Sequence, residues 1–193
     1  MSSASLTLTT LACRRGGRLL FEKLSLALGP GEAALVTGAN GSGKSSLLRV
    51  IAGLLAPDAG EVRSNGRIGW LGESAALDPR LALRDALGFW AQIDGVGSRE
   101  LAAALDGMGI GRLREVPVRM LSTGQRRRAA IARVIAAGAD LWLLDEPGSG
   151  LDETALAALG EAIASHRTNG GVVVAATHQP LPLAGAVTVA LGR

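Results

Sequence analysis

Residues Ala33–Thr37 form a short apolar run closed by a β-branched pair, the pattern of a strand buried on both faces. A few residues later the period changes. Leu47, Leu48, Ile51, Leu54 and Leu55 recur at helical spacing until Pro57, which predicts a helix ending there. Upstream, residues 5–11 and 19–28 read as strands, with Leu24, Leu26 and Leu28 alternating with smaller or polar residues. Gly29-Pro30-Gly31-Glu32 sets proline and glycine at the centre of a type II turn that feeds the run at Ala33. Downstream, Ile68–Leu71 predicts another short strand, and residues 73–120 turn helical. Leu83, Leu87 and Trp90 make one stripe there; Leu101, Leu105 and Met108 make a second. Gly107, Gly109, Gly111 and Pro117 break this helical insertion before a long helix over residues 122–137. Residues 141–144 and Val172–Ala176 read as two more buried strands, and no internal repeat or disordered linker is evident.

The turn between the strand at Ala33 and its helix carries the first chemistry. Gly38-Ala39-Asn40-Gly41-Ser42-Gly43-Lys44-Ser45, followed by Ser46, fits the phosphate-binding pattern G-x-x-x-x-G-K-[ST] in the strand–turn–helix setting it needs. Glycines let the backbone curl close to an anion, offering successive N–H groups at a helix N-terminus. Lys44 adds a mobile charge, and Ser45 offers a hydroxyl to Mg²⁺. Only Lys23 and Lys44 are lysines among 20 basic residues, so a lysine at this place is not background.

Composition narrows the class. A chain of 193 residues, 48% hydrophobic, predicts one domain with a sizeable core. Its net charge of +3 is spread along the chain, as solvated surface rather than a nucleic-acid patch. Cys13 is the single cysteine, which excludes an intrachain disulfide and fits a reducing compartment. No signal peptide is expected. Residues 168–192 lack Asp, Glu, Lys and Arg, but His178, Gln179, Pro180 and Pro182 interrupt them, so a membrane span is not predicted.

Leu141-Trp142-Leu143-Leu144-Asp145-Glu146 is a buried-strand run that ends in two carboxylates, as when a parallel strand delivers acids to the mouth of a site. With a phosphate loop present, Asp145 suits Mg²⁺, and Glu146, on the opposite side of the strand, suits polarising a water for attack on the γ-phosphate. Ser122 and Gln125 have the S-x-x-Q form of a capping box opening the long helix.

The ordered set of these motifs resembles the ATP-binding-cassette (ABC) ATPases along nearly the whole chain. Residues 38–45 are similar to their Walker A loop. Leu121-Ser122-Thr123-Gly124-Gln125 is similar to their LSGGQ signature, with Thr123 for a glycine, and residues 141–146 to their Walker B strand. Ser149-Gly150-Leu151-Asp152 looks like their D-loop, and His178, just past an apolar strand, looks like their switch histidine. The resemblance implies an α/β P-loop NTPase of ABC type with an antiparallel β subdomain and a helical signature subdomain. It divides the single domain into a core and β subdomain (1–72 and 139–193) and a helical part (73–138). ATP and Mg²⁺ are the implied ligands, and Lys44, Glu146 and His178 the implied catalytic groups. It further implies an ATP-bound head-to-tail homodimer. There Ser122, Thr123, Gly124, Gln125 and Asp152 of one subunit would complete the other's site, with backbone N–H groups and a helix dipole facing the γ-phosphate.

Two positions depart from that pattern. The family's adenine-stacking aromatic falls near Arg14 or Arg15, and the chain has no tyrosine; Arg15 can stack a guanidinium plane on the base, with weaker base selectivity expected. Glu73 stands where the family has a coupling-loop glutamine, and reaches Mg²⁺ at most through water.

Residues 70–81, residues 13–21, Gly88-Phe89-Trp90 and residues 176–181 are similar to the ATP-binding subunits of bacterial cytochrome c maturation (haem exporter) complexes. That resemblance implies integral membrane partner subunits and a peripheral place on the cytoplasmic face of the inner membrane. With His166 in a helix and His178 given to the γ-phosphate, direct haem contact is not expected. A GTPase is excluded because no lysine follows Lys44 to read the base. A chromosome-maintenance cassette would need a long coiled coil between Lys44 and Ser122, for which the chain is too short, and the run Arg126-Arg127-Arg128 is expected to be a solvated helix face, not a nucleic-acid contact. The ATPase subunit of another ABC transporter, a soluble assembly ATPase, for instance in iron–sulfur cluster building, and a nucleotide-binding module without turnover are the remaining alternatives.

Overall fold

A computed structural model describes residues 3–192 of the chain. β1 (Ser5–Arg15) and β2 (Arg18–Leu28) form an antiparallel hairpin. β1 runs four residues past the predicted end, because Gly16 and Gly17 both take positive φ (56° and 78°) in a two-residue turn that pairs Arg15 with Arg18. This carries Arg15 to the hairpin tip. The next turn forms as the pattern predicts: Gly31 has φ 77° and the Glu32 N–H donates to the Gly29 carbonyl at 3.1 Å.

β3 (Ala33–Thr37) then leads through the glycine loop into α1 (Lys44–Ile51). The helix is shorter than the leucine spacing suggests. Gly53, at φ 71°, closes it in a Schellman motif, its N–H donating to the Val50 carbonyl and that of Leu54 to the Arg49 carbonyl. Leu54 is therefore not a core position but 66% exposed.

β4 (Ala59–Asn65) pairs with β1, giving an antiparallel sheet of order β2-β1-β4. After β5 (Ile68–Leu71) come α2 (Leu83–Asp94), α3 (Ser98–Gly107), two short 3₁₀ turns and α4 (Thr123–Ala136). β6 (Leu141–Asp145), α5 (Glu153–Thr168), β7 (Val172–Ala176) and β8 (Val187–Ala190) complete the chain. The second sheet has the order β5-β6-β7-β3-β8 and all its pairs are parallel. Every residue of β6 and β7 is buried, as their apolar runs require.

Strand period 2 divides the core between the two faces of this sheet. Leu141, Leu143, Val172, Val174, Ala34 and Val36 pack with α1 and the antiparallel sheet. Trp142, Leu144, Val173 and Ala175 pack with α2–α5, joined by Leu83, Leu87, Leu101, Leu105 and Met108 from the two predicted stripes. Trp90, the third member of its stripe, is only half-buried; its indole N–H donates to the Ala76 carbonyl, and the Arg133 guanidinium lies 4.2 Å from its ring centre. β4, which no apolar run announced, and β8, whose short Val-Thr-Val-Ala run was not read as a strand, are outer strands with mostly exposed side chains.

Candidate active site

The parallel strands end together, and their C-terminal edge builds an open cavity of about 950 Å³. Asn40, Gly41, Gly43, Lys44, Ser45 and Ser46 from the glycine loop line one wall; Asp145, Glu146 and His178 line another. Arg15, Glu73 and Thr123 also reach it. Gly38, Ala39 and Ser42 shape the loop from behind. At Gly38 (φ 147°) a Cβ would sit 2.6 Å from the Leu191 carbonyl oxygen, and at Gly43 (φ 105°) 2.9 Å from Leu20 Cβ, so both places require glycine.

Lys44 is 7% exposed, its Nζ donating to the carbonyls of Gly38 (2.9 Å) and Ala39 (3.4 Å) and standing 3.9 Å from Glu146 Oε1. Asp145, 2% exposed, is the continuation of the strand face that meets α1, with the Ser45 hydroxyl beside its carboxylate. Burial pushes the Asp145 pKa up, against the lowering effect of Ser45 and of nearby Arg49 and Arg127. Its Oδ1 is buried without a partner. A buried carboxylate oxygen left over beside a hydroxyl is a donor set that fits Mg²⁺, which takes oxygen ligands and keeps most of its shell for phosphate and water.

Glu146 leaves the strand in an unusual conformation, φ 47°. Its N–H donates to the Ala176 carbonyl at 2.7 Å. Its carboxylate receives the His178 backbone N–H (3.3 Å) on Oε2 and lies 2.9 Å from His178 Nδ1 through Oε1. Burial works to raise its pKa, but the hydrogen bonds from His178 and Thr177 outweigh it and hold the carboxyl below the ordinary glutamate value. Glu146 is thus ionised near neutral pH, as a base must be.

The signature segment is placed differently. Thr123 lines the cavity, whereas Ser122, Gly124 and Gln125 do not. Ser122 Oγ accepts from the Gln125 N–H at 3.1 Å, and Gln125 Oε1 accepts from the Ser122 N–H at 2.9 Å, a complete capping box. The Ser122 N–H is therefore engaged and not the free phosphate donor expected of it. Gly124 packs on the D-loop, where a Cβ would lie 2.6 Å from the Gly150 carbonyl oxygen. Asp152, also off the cavity lining, caps α5 by accepting from the Ala155 N–H at 2.8 Å, and receives Arg128 at 2.9 Å.

Three arginines at the site, Arg49, Arg126 and Arg127, went unread in the sequence. Arg49 lines the cavity one helical turn after Ser45, a spacing that in hindsight puts both on one face of α1. Arg127 corrects the expectation of a solvated arginine run: it is 7% exposed. Its guanidinium donates to the carbonyls of Gly72 (2.6 Å), Glu146 (2.7 Å) and Asp145. Burial lowers its pKa, offset by Asp145, Glu146 and Glu73. Of the candidates for the base-binding end, Arg15 reaches the cavity, while the Arg14 N–H is tied to Asp58 Oδ2 at 2.5 Å.

Residues 21–149 match the family model described as ABC transporter. The chain is 56% identical to the cytochrome c biogenesis ATP-binding export protein CcmA of Sphingopyxis alaskensis over 92% of each chain. It is 52% identical to the protein of that name from Novosphingobium aromaticivorans, over 99% of this chain and 97% of the relative. Among solved structures, a putative ABC transporter ATP-binding protein from Pyrococcus furiosus superposes with a TM-score of 0.84 at 24% identity, over 97% of each chain. That likeness is one of fold. With the phosphate loop and the strand-end acids at one sheet edge and these matches over most of its length, the chain belongs to the ABC transporter family as an ATP-hydrolysing, ATP-binding subunit.

Proposed function

We propose that the chain drives a transporter of c-type cytochrome biogenesis, powering haem export or the release of a haem-loaded chaperone. The relatives named for cytochrome c biogenesis export, similar over nearly the full chain, support that assignment. The observation that carries the chemistry is the convergence of Lys44, Glu146 and His178 in one cavity, with Glu146 held between the other two.

In this reading the glycine loop and Lys44 bind the β- and γ-phosphates. Ser45, Asp145 and, through water, Glu73 would hold Mg²⁺, which would supply neutralisation of phosphate charge. Glu146 takes the proton of the attacking water, and His178 both orients Glu146 and meets the γ-phosphate. Two copies close head to tail on ATP, with Thr123 and Gly124 at the exposed start of α4 facing the partner's nucleotide. Hydrolysis removes the phosphate that joins them, and the dimer opens.

Integral membrane subunits supply the path across the inner membrane, and the ATPase sits on its cytoplasmic face as a peripheral subunit. Among the described residues no helix is long and apolar enough to span a bilayer. Phe89 and Ile93, one turn apart on α2, are 57% and 61% exposed, an apolar ridge suited to such a subunit.

The test replaces the native protein in cells with Glu146→Gln and stains membrane c-type cytochromes for covalent haem. Loss of stain, with the variant still at the membrane, is expected. Normal staining would overturn the cytochrome c assignment and leave a transporter ATPase of other cargo.

A further inference from the structure

Arg127 has a geometry that neither cavity lining nor surface charge explains. It sits in α4 one turn after Thr123, so the two share a helix face, and both reach the cavity. Its three carbonyl partners come from two distant stretches: Gly72, at the end of β5 beside Glu73, and Asp145 and Glu146 at the end of β6. None of these contacts is to a carboxylate oxygen. Instead the guanidinium holds the backbone of the two residues whose carboxylates the site uses.

The backbone of Glu146 needs such holding. Its φ of 47° is a conformation that a glutamate keeps only where neighbours over-determine it. On the N-terminal side its N–H is pinned to the Ala176 carbonyl at 2.7 Å. On the C-terminal side its carbonyl is pinned by Arg127 at 2.7 Å. The peptides on both sides of Glu146 are therefore fixed, which sets the direction in which its side chain leaves the backbone toward His178.

A planar fork with five N–H donors can serve three converging carbonyls at once; an ammonium cannot match that geometry, and an apolar side chain would leave the oxygens unpaired. A second arginine repeats the arrangement at the far end of the same helix. Arg133 donates to the Trp70 carbonyl at 3.1 Å, so α4 grips the end of β5 at two points.

We propose that Arg127 is a positioning residue for hydrolysis, tying the signature helix and the Gly72–Glu73 turn to the peptide that aims Glu146. Movement of the α4 N-terminus, or of that turn, reaches the attacking water through this one side chain. The inference rests on Glu146 being the base.

The test is turnover of Arg127→Lys and Arg127→Met, alone and combined with Glu146→Gln, with nucleotide affinity measured by a fluorescent ATP analogue and folding by thermal melting. Arg127→Lys, which keeps charge and three donors, is expected to fold, bind nucleotide within about twofold of wild type and lose about tenfold in kcat; Arg127→Met is expected to lose about 100-fold. In the Glu146→Gln background, neither change should lower the residual rate further, because the group they act through is already gone. Turnover of Arg127→Lys within twofold of wild type, an equal fall in affinity and rate, or full multiplication of the two losses would each overturn the proposal. A lysine variant that fails to fold would do the same, by assigning Arg127 to stability. Intact turnover of Glu146→Gln by itself would instead remove the base assignment, and the inference with it.

Discussion

The two ends of the cavity are built to different standards. At the phosphate end Lys44 and Asp145 are nearly inaccessible, Glu146 is fixed by its neighbours on both sides, and the glycines are enforced by contact: a Cβ at Gly38 or Gly43 would strike Leu191 or Leu20. At the end proposed to take the nucleobase, Arg15 stands exposed at a hairpin tip, and a Cβ on Gly16 or Gly17 would meet nothing within 4 Å. In the proposed reading, order is concentrated where charge would be rearranged during hydrolysis. Fixed dipoles and charges there need no reorganisation at the moment of reaction, while a stacked base asks only for a plane of contact.

That contrast is broken most directly at Glu146. Glu146→Gln should keep ATP binding, trap an ATP-bound dimer and lower phosphate release by about 10²–10⁴-fold, since the amide cannot take a proton. Size-exclusion chromatography with ATP and a phosphate-release assay report the two effects; wild-type turnover would mean that ordering at this end serves something other than the base.

Lys44→Ala should weaken nucleotide binding itself by about 10–100-fold, the loss of a charge-assisted contact. Equilibrium titration with a fluorescent ATP analogue measures it. Unchanged affinity would remove Lys44 from phosphate binding.

Glycine substitutions sharpen the comparison on stability. Gly38→Ala must displace the Leu191 backbone as well as adopt an unfavourable φ, and should cost about 3 kcal/mol or more. Gly16→Ala meets only the backbone penalty, about 1 kcal/mol. Chemical denaturation of the two variants should separate them in that order; equal losses would show that contact does not enforce the loop. Arg15→Ala should act more weakly still, lowering ATP affinity only a few-fold, about 0.5–1 kcal/mol, with little change in the ratio of ATP to GTP binding. A tenfold loss would show that the base end grips its ligand as firmly as the phosphate end.

The smallest effect belongs to a histidine outside the cavity. His166 stacks on Trp142 with ring centres 4.0 Å apart, and burial lowers its pKa from 6.5. The unfolded chain therefore binds this proton more readily than the folded one. The contribution of neutral His166 is present above pH 6.5 and is lost as pH falls below it. Melting temperatures of wild type and His166→Phe, which keeps a ring on Trp142, should diverge as pH falls from 7 toward 5, with the wild type losing more. Parallel curves would discount the buried imidazole.

Much of the phosphate end was legible because its signals are local. The glycine loop lies between a buried strand and a helix, the acids end an apolar run, and Ser122 and Gln125 bond each other within one turn. The helix after the loop was misjudged where two local signals compete: leucine spacing continues to Leu55, but Gly53 closes the backbone first. The outer strand β4 was missed because, with few buried side chains, it carries no hydrophobic period to read, whereas β8 is a short Val-Thr-Val-Ala run that was legible and went unread as a strand.

The sequence by itself determined the order of the motifs, the family they resemble and the chemistry available at the sheet edge, since each motif is a run of a few residues whose conformation follows from those residues. Only the tertiary structure decided what the arginines do. Arg126, Arg127 and Arg128 are one composition, yet Arg126 reaches the cavity, Arg128 pairs with Asp152, and Arg127 is buried on carbonyls from two other strands. Helical geometry turns successive side chains by about 100°, so adjacent identical residues enter different surroundings. Whether a charge is solvated or buried depends on which carbonyls the folded chain brings to it, and Gly72 lies 55 residues from Arg127.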